Sequence, residues 1–247
     1  MRRGLGLLTA AVLLLAGGCG GGGKPTIKVS AAASLKQAFE SYAKDFDAAD
    51  VSFSFAGSDE LAAQIRQAVK PDVYAAANTK LPRDLYADGL VERPIRFASN
   101  QLVIAVPKGG KVRSIGDLAK PGTRIAAGAA AVPIGSYTRE VLLRLPRAEA
   151  LAIERNIRSD EPDVAGIVAK VSQGAVDAGF VYVTDVRAAG GLTGVRLPGR
   201  LQPRVTYSAA VVSKAPHAAE ARSFVKGLRY TAGVRALHAA GFGYPGG

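Results

Sequence analysis

The sequence predicts an α/β protein, because short apolar segments of strand length alternate along the chain with helical patterns. The 247 residues are 48% hydrophobic. That content supports a full core, in one large domain or in two lobes of about 100 residues each. Small residues followed by a hydroxyl side chain recur where strands run into helices. This recurring pattern indicates a ligand site built from helix starts.

The first 18 residues have the pattern of a secretory signal peptide. Arg2 and Arg3 form a charged start, and Leu5–Ala16 is an apolar stretch too short to span a bilayer as an ordinary helix. Small residues then lead into Cys19, as in the cleavage site of bacterial lipoproteins. Because Cys19 is the only cysteine and has no disulfide partner, we expect it to be the lipid-modified N-terminus. The alternative is an ordinary signal peptide with an incidental cysteine.

Residues 19–26 are predicted to form the lipidated cysteine and a flexible tether, since four consecutive glycines follow Cys19. The tether would join the anchor to the folded body, which begins near Ile27. We therefore expect a protein anchored by lipid to the extracytoplasmic face of the cell membrane.

The first strand and helix of the body predict a seat for an anion. Ile27–Ser30 is predicted as a buried strand, Ala31–Ala33 as a tight turn, and Ser34 as the opening of a helix, with Gln37 at capping-box spacing. Free N–H groups at a helix start attract anions, and alanines allow close approach. The alternative is that Ser34 is only an N-cap. The apolar positions of this helix are Leu35, Ala38, Phe39, Tyr42 and Phe46.

Two later segments repeat this arrangement. Val51–Phe55 is a predicted strand that leads through small residues to Ser58 and a helix with an acidic first turn. Arg124–Ala127 is a predicted strand followed by a small-residue loop and a helix opened by Pro133. Proline suits that position because its missing N–H has no partner there to lose, and the N–H of Ile134 is left free to face a ligand.

The remaining elements complete the alternating pattern. Gln101–Pro107 is a clear strand, and Pro162-Asp163 opens a helix with Gly174 as its C-cap. Ala178–Val183 is a strand that carries Tyr182. The other predicted elements are a strand after Pro71, helices at Leu81–Leu90 and Ile115–Leu118, a helix start at Thr184, a long strand at Val205–Val212, and helices at Ala218–Leu228 and Gly233–Ala240.

The net charge of +12 permits a nucleic acid, an acidic membrane or an anionic small ligand as partner. The basic residues are scattered, with no basic run, which favours a solvated basic surface and no nucleic-acid partner. The two histidines, His217 and His238, lack further ligands at metal-site spacing, so we expect no protein-ligated metal.

Five short motifs carry a family resemblance, and they occur in the order Ala31–Leu35, Phe55–Ser58, Val132–Tyr137, Asp163-Val164 and Gly179–Tyr182. Together they resemble the periplasmic molybdate-binding proteins of bacterial ABC importers. The resemblance extends from Ile27 to Pro245. It implies a two-lobed periplasmic-binding-protein fold of type II, with the ligand in the interlobe cleft and two crossover hinge segments.

The resemblance also implies a ligand site. Two serine hydroxyls, two backbone N–H groups and one tyrosine hydroxyl would hold molybdate or tungstate. The matching positions in this chain are Ser34, Ser58, Ile134, Val164 and Tyr182. The chain departs from the pattern at Gly57, where a serine is frequent, and at Ile134, where a small residue is frequent.

We place the two crossings near Ser99–Leu102 and Thr206–Ala209. Lobe one would then comprise residues 27–101 plus 208–247, and lobe two residues 102–207. The serines lie in lobe one and the other three donors in lobe two, so an anion would bridge the lobes.

These expectations describe a receptor and not an enzyme. A monomer without cofactor would capture molybdate or tungstate and deliver it to an ABC permease in the membrane. Neutral donors disfavour phosphate, because its proton would be left unpaired at a cost of about 1–3 kcal/mol. Two alternatives remain: a receptor for another oxyanion such as sulfate, and a secreted serine hydrolase using Ser34 or Ser58, although no G-x-S-x-G motif marks either serine.

Overall fold

Two five-stranded sheets with flanking helices organise the chain in the computed structural model, which describes residues 23–230 and 232–245. The α/β prediction is confirmed. The predicted signal peptide, Cys19 and the first part of the tether lie outside the described residues. Within the described ranges, no helix is long and apolar enough to cross a membrane.

The strands are numbered in chain order: β1 (Thr26–Ala32), β2 (Asp50–Ala56), β3 (Val73–Ala76), β4 (Ile95–Asn100), β5 (Leu102–Pro107), β6 (Ile125–Gly128), β7 (Ile157–Glu161), β8 (Ala178–Tyr182), β9 (Leu192–Arg196) and β10 (Val205–Val211). The α-helices are α1 (Lys36–Lys44), α2 (Ser58–Arg66), α3 (Lys80–Ala87), α4 (Pro133–Leu143), α5 (Arg147–Asn156), α6 (Val164–Ser172), α7 (Val183–Ala189), α8 (Ala218–Tyr230) and α9 (Ala232–Ala240). Short 3₁₀ turns lie at Ala33–Leu35, Ile115–Ala119 and Gly199–Leu201.

Both sheets combine parallel strands with one antiparallel insertion. The first has the order β2-β1-β3-β10-β4, with β1 parallel to β2 and β3, and β10 antiparallel to its neighbours. The second has the order β7-β6-β8-β5-β9, with β6 parallel to β7 and β8, and β5 antiparallel to β8 and β9. Ligands of open α/β sheets bind beyond the carboxyl ends of parallel strands, and the predicted donors follow such ends.

Three strands that the sequence did not indicate, β4, β7 and β9, lie at sheet edges. Edge strands bury few residues, so their sequences lack a continuous apolar run: β7 is IRSDE and β9 is LTGVR. The helix α5 was also not predicted, and it buries only two of its ten residues, Ile153 and Asn156.

The start of the first helix differs from the prediction. β1 continues through Ala32, a 3₁₀ turn follows, and α1 begins at Lys36. Ser34 makes no capping bond, so the predicted capping box with Gln37 is wrong. The hydroxyl of Ser34 is buried and instead bonds the hydroxyl of Tyr207 at 2.9 Å.

The chain passes between the sheets twice. The first passage is at Gln101, between β4 and β5. The second lies at residues 197–204, because β10 pairs with β4 from Val205 onward and so belongs entirely to the first sheet. The predicted crossing at Thr206–Ala209 is therefore too late in the chain. The Gln202 side chain ties the passages together, since it bonds both the N–H and the C=O of Leu102 at 3.2 and 2.9 Å.

An aromatic cluster holds the C-terminal helices against the first sheet. Phe224 on α8 is fully buried. Its ring centroid lies 5.6 Å from that of Phe39 and 4.7 Å from that of Tyr42, both on α1. The C-terminal segment therefore completes the core that α1 begins.

Replacing Phe224 by alanine is expected to lower the free energy of unfolding by about 3–5 kcal/mol, because it removes a buried ring and leaves a cavity. Tyr230→Ala is the matched control on the same helix, since Tyr230 is 65% exposed, and it should cost less than about 1 kcal/mol. Urea unfolding of both variants checks this; equal losses would contradict the assignment of Phe224 to the core.

Candidate functional site

The structure brings all five predicted donors to one cavity of about 20 Å³, which lies between the two sheets. Each donor follows the carboxyl end of a strand or opens a helix. The other lining residues are Ala32, Ala33, Ala56, Gly57, Ala77, Val132, Pro133 and Asp163. Alanine and glycine dominate the wall from the first sheet, so backbone and hydroxyl groups can approach a small ligand closely.

Ser58 opens α2 directly after β2 and Gly57. Its Oγ accepts a hydrogen bond from the backbone N–H of Ala77 at 3.1 Å. Because that N–H can only donate, the hydroxyl hydrogen of Ser58 remains available for a ligand. Ser58 is 2% exposed, so this donor is held in place within the protein.

The two backbone donors stand at helix starts. Ile134 is the second residue of α4, behind Pro133, and Val164 is the first residue of α6. N–H groups in these positions have no partner within their own helix and lie at its electropositive end. The side chain of Asp163 caps α6 by accepting from the N–H of Gly166 at 3.0 Å.

Gly135 is required by the sharp turn into α4. A Cβ at this position would collide with the carbonyl oxygens of Gly128 and Ala129. The Val-Pro-x-Gly sequence therefore has a backbone cause: the strand β6 must turn at once into the helix that presents Ile134.

The hydroxyl of Tyr182 is the clearest sign of a ligand. Tyr182 ends β8 and is 1% exposed, and its hydroxyl has no hydrogen-bond partner with suitable geometry within the described part of the chain. Burial raises the pKa of Tyr182 well above its ordinary value, and the neighbouring Tyr207 raises this pKa further. A buried hydroxyl without a partner costs about 1–3 kcal/mol, a cost that an acceptor in the cavity would remove.

The cavity holds no cationic side chain among its described lining residues, and its one lining carboxylate, Asp163, is engaged as the cap of α6. The dipoles of the helix starts and the polar hydrogens favour an anion there. Within residues 23–230 and 232–245, no cluster of three or more His, Cys, Asp or Glu side chains could hold a metal ion. The arrangement can therefore hold an anion by hydrogen bonds alone.

Three neighbours of the donors were not found from the sequence. Tyr207 bonds Ser34, Asn100 contacts Tyr207, and the N–H of Ala77 bonds Ser58. Tyr207 interrupts a buried strand of small and apolar residues, VTYSAAV, and this polar hydroxyl was the available signal. The contact with Ser34 joins positions 173 residues apart, which no local pattern reveals.

The two halves of the structure meet across the cavity. The hydroxyl of Tyr137 on α4 donates to the carbonyl of Ala77 at 3.2 Å. Gly57 lies against Pro162, such that a Cβ at Gly57 would stand 2.5 Å from the Pro162 carbonyl oxygen. The departure from the family pattern at Gly57 thus falls at a close contact between the halves.

The family model for bacterial extracellular solute-binding proteins matches residues 27–243. The chain belongs to this family. Membership confirms the expectation of an extracytoplasmic solute-binding protein that is not an enzyme.

Curated relatives within this solute-binding family support the more specific resemblance. The molybdate-binding protein ModA of Mycobacterium tuberculosis (strain ATCC 25618 / H37Rv) is 37% identical over 231 residues, which cover 90% of this chain and 86% of that protein. The molybdate-binding protein ModA of Escherichia coli (strain K12) is 30% identical over 200 residues, covering 75% and 77%. The resemblance to molybdate-binding proteins is therefore confirmed.

Solved structures of solute-binding proteins show the same fold. The periplasmic molybdate-binding protein of Azotobacter vinelandii aligns with a TM-score of 0.78 at 23% identity, covering 89% of this chain and 99% of that one. The sulfate-binding protein SubI from Mycobacterium tuberculosis H37Rv aligns with a TM-score of 0.75 at 16% identity, covering 88% and 86%. These matches confirm the periplasmic-binding-protein fold.

A buried carboxyl, Asp185, lies beside Tyr182 of the candidate site. Its Oδ2 accepts from the backbone N–H of Tyr182 at 2.8 Å. Burial raises the pKa of Asp185 to about 7; the hydrogen bond from Tyr182 opposes this rise and the charge of Asp163 adds to it. The carboxyl therefore holds the start of α7 in place and changes charge near neutral pH.

Asp185 is expected to make stability fall as pH rises. The unfolded carboxyl has a pKa of about 3.9, so between about pH 4 and 7 the folded protein keeps a proton that the unfolded chain loses, and the free energy of unfolding declines. Asp185→Asn keeps the acceptor for the Tyr182 N–H but cannot ionise. Between pH 5 and pH 8 the unmodified protein should lose about 2–3 kcal/mol more than the variant.

Urea unfolding of both proteins at the two pH values measures this difference. The other titrating groups are common to both proteins, so they cancel in the comparison. Parallel pH profiles would contradict the raised pKa of Asp185.

Proposed function

We propose that this protein captures molybdate or tungstate outside the cytoplasm and delivers the anion to an ABC importer in the cell membrane. The observation that carries the proposal is the small cavity lined by five uncharged donors. One of them is the buried hydroxyl of Tyr182, which has no hydrogen-bond partner among the described residues. The names of the curated relatives, which are molybdate-binding proteins, support this ligand class.

The donor set suits an oxyanion that carries no proton. Ser34, Ser58 and Tyr182 supply hydroxyl hydrogens, and Ile134 and Val164 supply N–H groups. The serine oxygens are already engaged as Ser58 accepts from Ala77 and Ser34 contacts Tyr207. Asp163, the one carboxylate among the described lining residues, accepts from the N–H of Gly166 as the cap of α6. A protonated oxyanion such as hydrogen phosphate would therefore meet only acceptors that are already engaged, and a poorly paired O–H would cost it up to about 1–3 kcal/mol.

The anion would bridge two lobes. The serines follow strands of the first sheet, and the other three donors belong to helices and a strand of the second. A ligand bound on both sides stabilises the closed arrangement, because only that arrangement offers all the contacts. We retain lobes of residues 27–101 plus 208–247 and 102–207, with the amendment that residues 205–207 join the first sheet.

The anchor is part of the proposal. Removal of residues 1–18 would leave a lipid on Cys19, and β1 begins at Thr26. The residues between these points could span about 20 Å when extended. The body would thus stay close to the membrane and to the permease while remaining free to turn, as a monomer.

Sulfate is the second candidate ligand, since it is also an unprotonated tetrahedral dianion and the same donors would accept it. A serine hydrolase has no support. Ser34 bonds Tyr207 and Ser58 bonds the N–H of Ala77, so neither hydroxyl contacts a histidine that could act as a base.

Isothermal titration of the chain from Lys24 onward, which contains both sheets, tests the proposal. We expect one-to-one binding of molybdate and tungstate, with weaker binding of sulfate and the weakest binding of phosphate. Preferred binding of sulfate would assign the second candidate ligand. The absence of heat with all four anions would refute the proposed function.

Single serine variants test the site. Ser34→Ala and Ser58→Ala should each weaken molybdate binding by about 1.5–3 kcal/mol, because each removes a hydrogen bond to a charged ligand. Ser213→Ala is the control, since its hydroxyl bonds the carbonyl of Gly89 away from the cavity. Unchanged affinity in both site variants would show that the anion binds elsewhere.

Gly57→Ala tests the closed arrangement. The backbone of Gly57, at φ −59° and ψ 136°, accepts alanine without strain, but the new Cβ would stand 2.5 Å from the Pro162 carbonyl oxygen. Molybdate binding should weaken by about 1–3 kcal/mol from overpacking, with little change in thermal stability of the ligand-free protein. Gly199→Ala, where a Cβ meets open space, should bind normally; an unaffected Gly57→Ala variant would contradict closure at this contact.

A further inference from the structure

The last residue of β4, Asn100, stands beside the first passage between the sheets and carries a buried amide with one allowed orientation. Oδ1 of Asn100 accepts from the backbone N–H of Gln101 at 2.9 Å. Since that N–H can only donate, the atom facing it must be the amide oxygen. The amide nitrogen therefore faces the hydroxyls of Thr184 at 2.9 Å and Tyr207 at 3.4 Å, with one hydrogen for each.

This orientation sets the direction of the next hydrogen bond. The amide hydrogen of Asn100 occupies a lone pair on the Tyr207 hydroxyl, and the hydrogen of Tyr207 then has Ser34 Oγ as its acceptor at 2.9 Å. Because Ser34 accepts from Tyr207, its own hydrogen is free to point into the cavity that it lines. Tyr207 is fully buried, and Asn100 and Ser34 are each 9% exposed, so the three groups are shielded together.

We propose that Asn100 and Tyr207 are positioning residues that fix Ser34 as a hydrogen-bond donor toward the anion, and that they thereby set the preference for oxyanions without a proton. This inference rests on the proposed function. The chain of bonds also joins the two halves, because Ser34 and Tyr207 belong to the first sheet and its connections whereas Thr184 lies on α7.

Ser34 and Ser58 differ in what makes each hydroxyl a donor, and not an acceptor, toward the ligand. Ser58 accepts from the backbone N–H of Ala77, an arrangement that no side-chain substitution can reverse. Whether Ser34 donates to the ligand depends on the side chain at position 100, because Asn100 donates to Tyr207 only through its amide nitrogen. The preference for unprotonated ligands can therefore be changed through a residue that does not line the cavity.

We call the hydrogen bonds that run from Asn100 through Tyr207 to Ser34 the relay. Asn100→Asp should reverse the direction of donation along it. The new carboxylate can only accept, so it would take hydrogens from Gln101, Thr184 and Tyr207, and these three bonds would keep it ionised. Tyr207 would then accept from Ser34, and Ser34 would present a lone pair to the ligand. Such a site pairs with the proton of hydrogen phosphate and repels an oxygen of sulfate.

The test is competition of sulfate and of phosphate against molybdate at pH 8, where both competitors are dianions. The negative charge added by Asn100→Asp weakens the binding of sulfate and of hydrogen phosphate equally. The ratio of their affinities therefore reports only the effect of the proton that hydrogen phosphate carries. In Asn100→Asp this ratio should move toward phosphate by about tenfold or more, the equivalent of one hydrogen bond made or lost. In a Ser34→Ala background the same substitution should leave the ratio unchanged.

Tyr207→Phe provides a second test that introduces no charge. It breaks the relay and lets the Ser34 hydroxyl rotate, so sulfate affinity should fall several-fold while phosphate affinity holds or rises. Tyr42→Phe is the control, because it also removes a buried hydroxyl, one that bonds the carbonyl of Phe224 at 3.2 Å, and it should leave the ratio unchanged.

The outcomes separate this inference from the proposed function. If the unmodified protein binds molybdate but both relay variants weaken sulfate and phosphate equally, the positioning role of Asn100 and Tyr207 is overturned while the receptor function stands. A ratio that still shifts in the Ser34→Ala background would also overturn it. If the unmodified protein binds none of the anions, the proposed function itself fails.

Discussion

In the proposed site a dianion is bound by uncharged donors, and the rest of the structure follows from this constraint. Each donor must present a hydrogen and no lone pair, so its remaining polar atoms need partners inside the protein. Ser58 meets this requirement through the N–H of Ala77 and Ser34 through Tyr207. Tyr182 is buried with its hydroxyl unpartnered in the described chain, and its raised pKa keeps it protonated. Uncharged donors also let the ligand leave, as delivery to a permease requires.

The two sheets supply these donors from opposite sides of the cavity, and the residues between the donors are mostly small. The parallel strands β1, β2 and β8 end at the cavity, and Ala77, directly after β3, also lines it. Alanine or glycine follows β1, β2 and β6 before the next helix begins. Even the Cβ of an alanine at Gly57 or Gly135 would clash with neighbouring backbone. Gly57 lines the cavity and faces the opposite half, and Gly135 lies in the helix that presents Ile134.

Sequence patterns predicted the features that depend on neighbouring residues, namely most strands and the helix starts that follow them. Strands that run through small residues into helix starts identified Ser34, Ser58 and the turn before Ile134, and the family resemblance added Val164 and Tyr182. The errors have a common cause in tertiary pairing. Ser34 looked like a helix cap, but its partner is Tyr207, which is 173 residues away. The second passage was placed too late because pairing of Val205 with Asn100 is invisible along the chain.

The most direct measurement is a crystal structure of the tungstate complex, in which the anomalous signal of tungsten locates the anion without reference to any assumed pose. We predict one strong peak in the cavity, with ligand oxygens within about 3.2 Å of the three hydroxyls and the two helix-start nitrogens. A dominant peak at the exposed groove beside the hinge, which is lined by Arg187, Arg196 and Arg204, would contradict binding by uncharged donors and would assign anion capture to the basic surface.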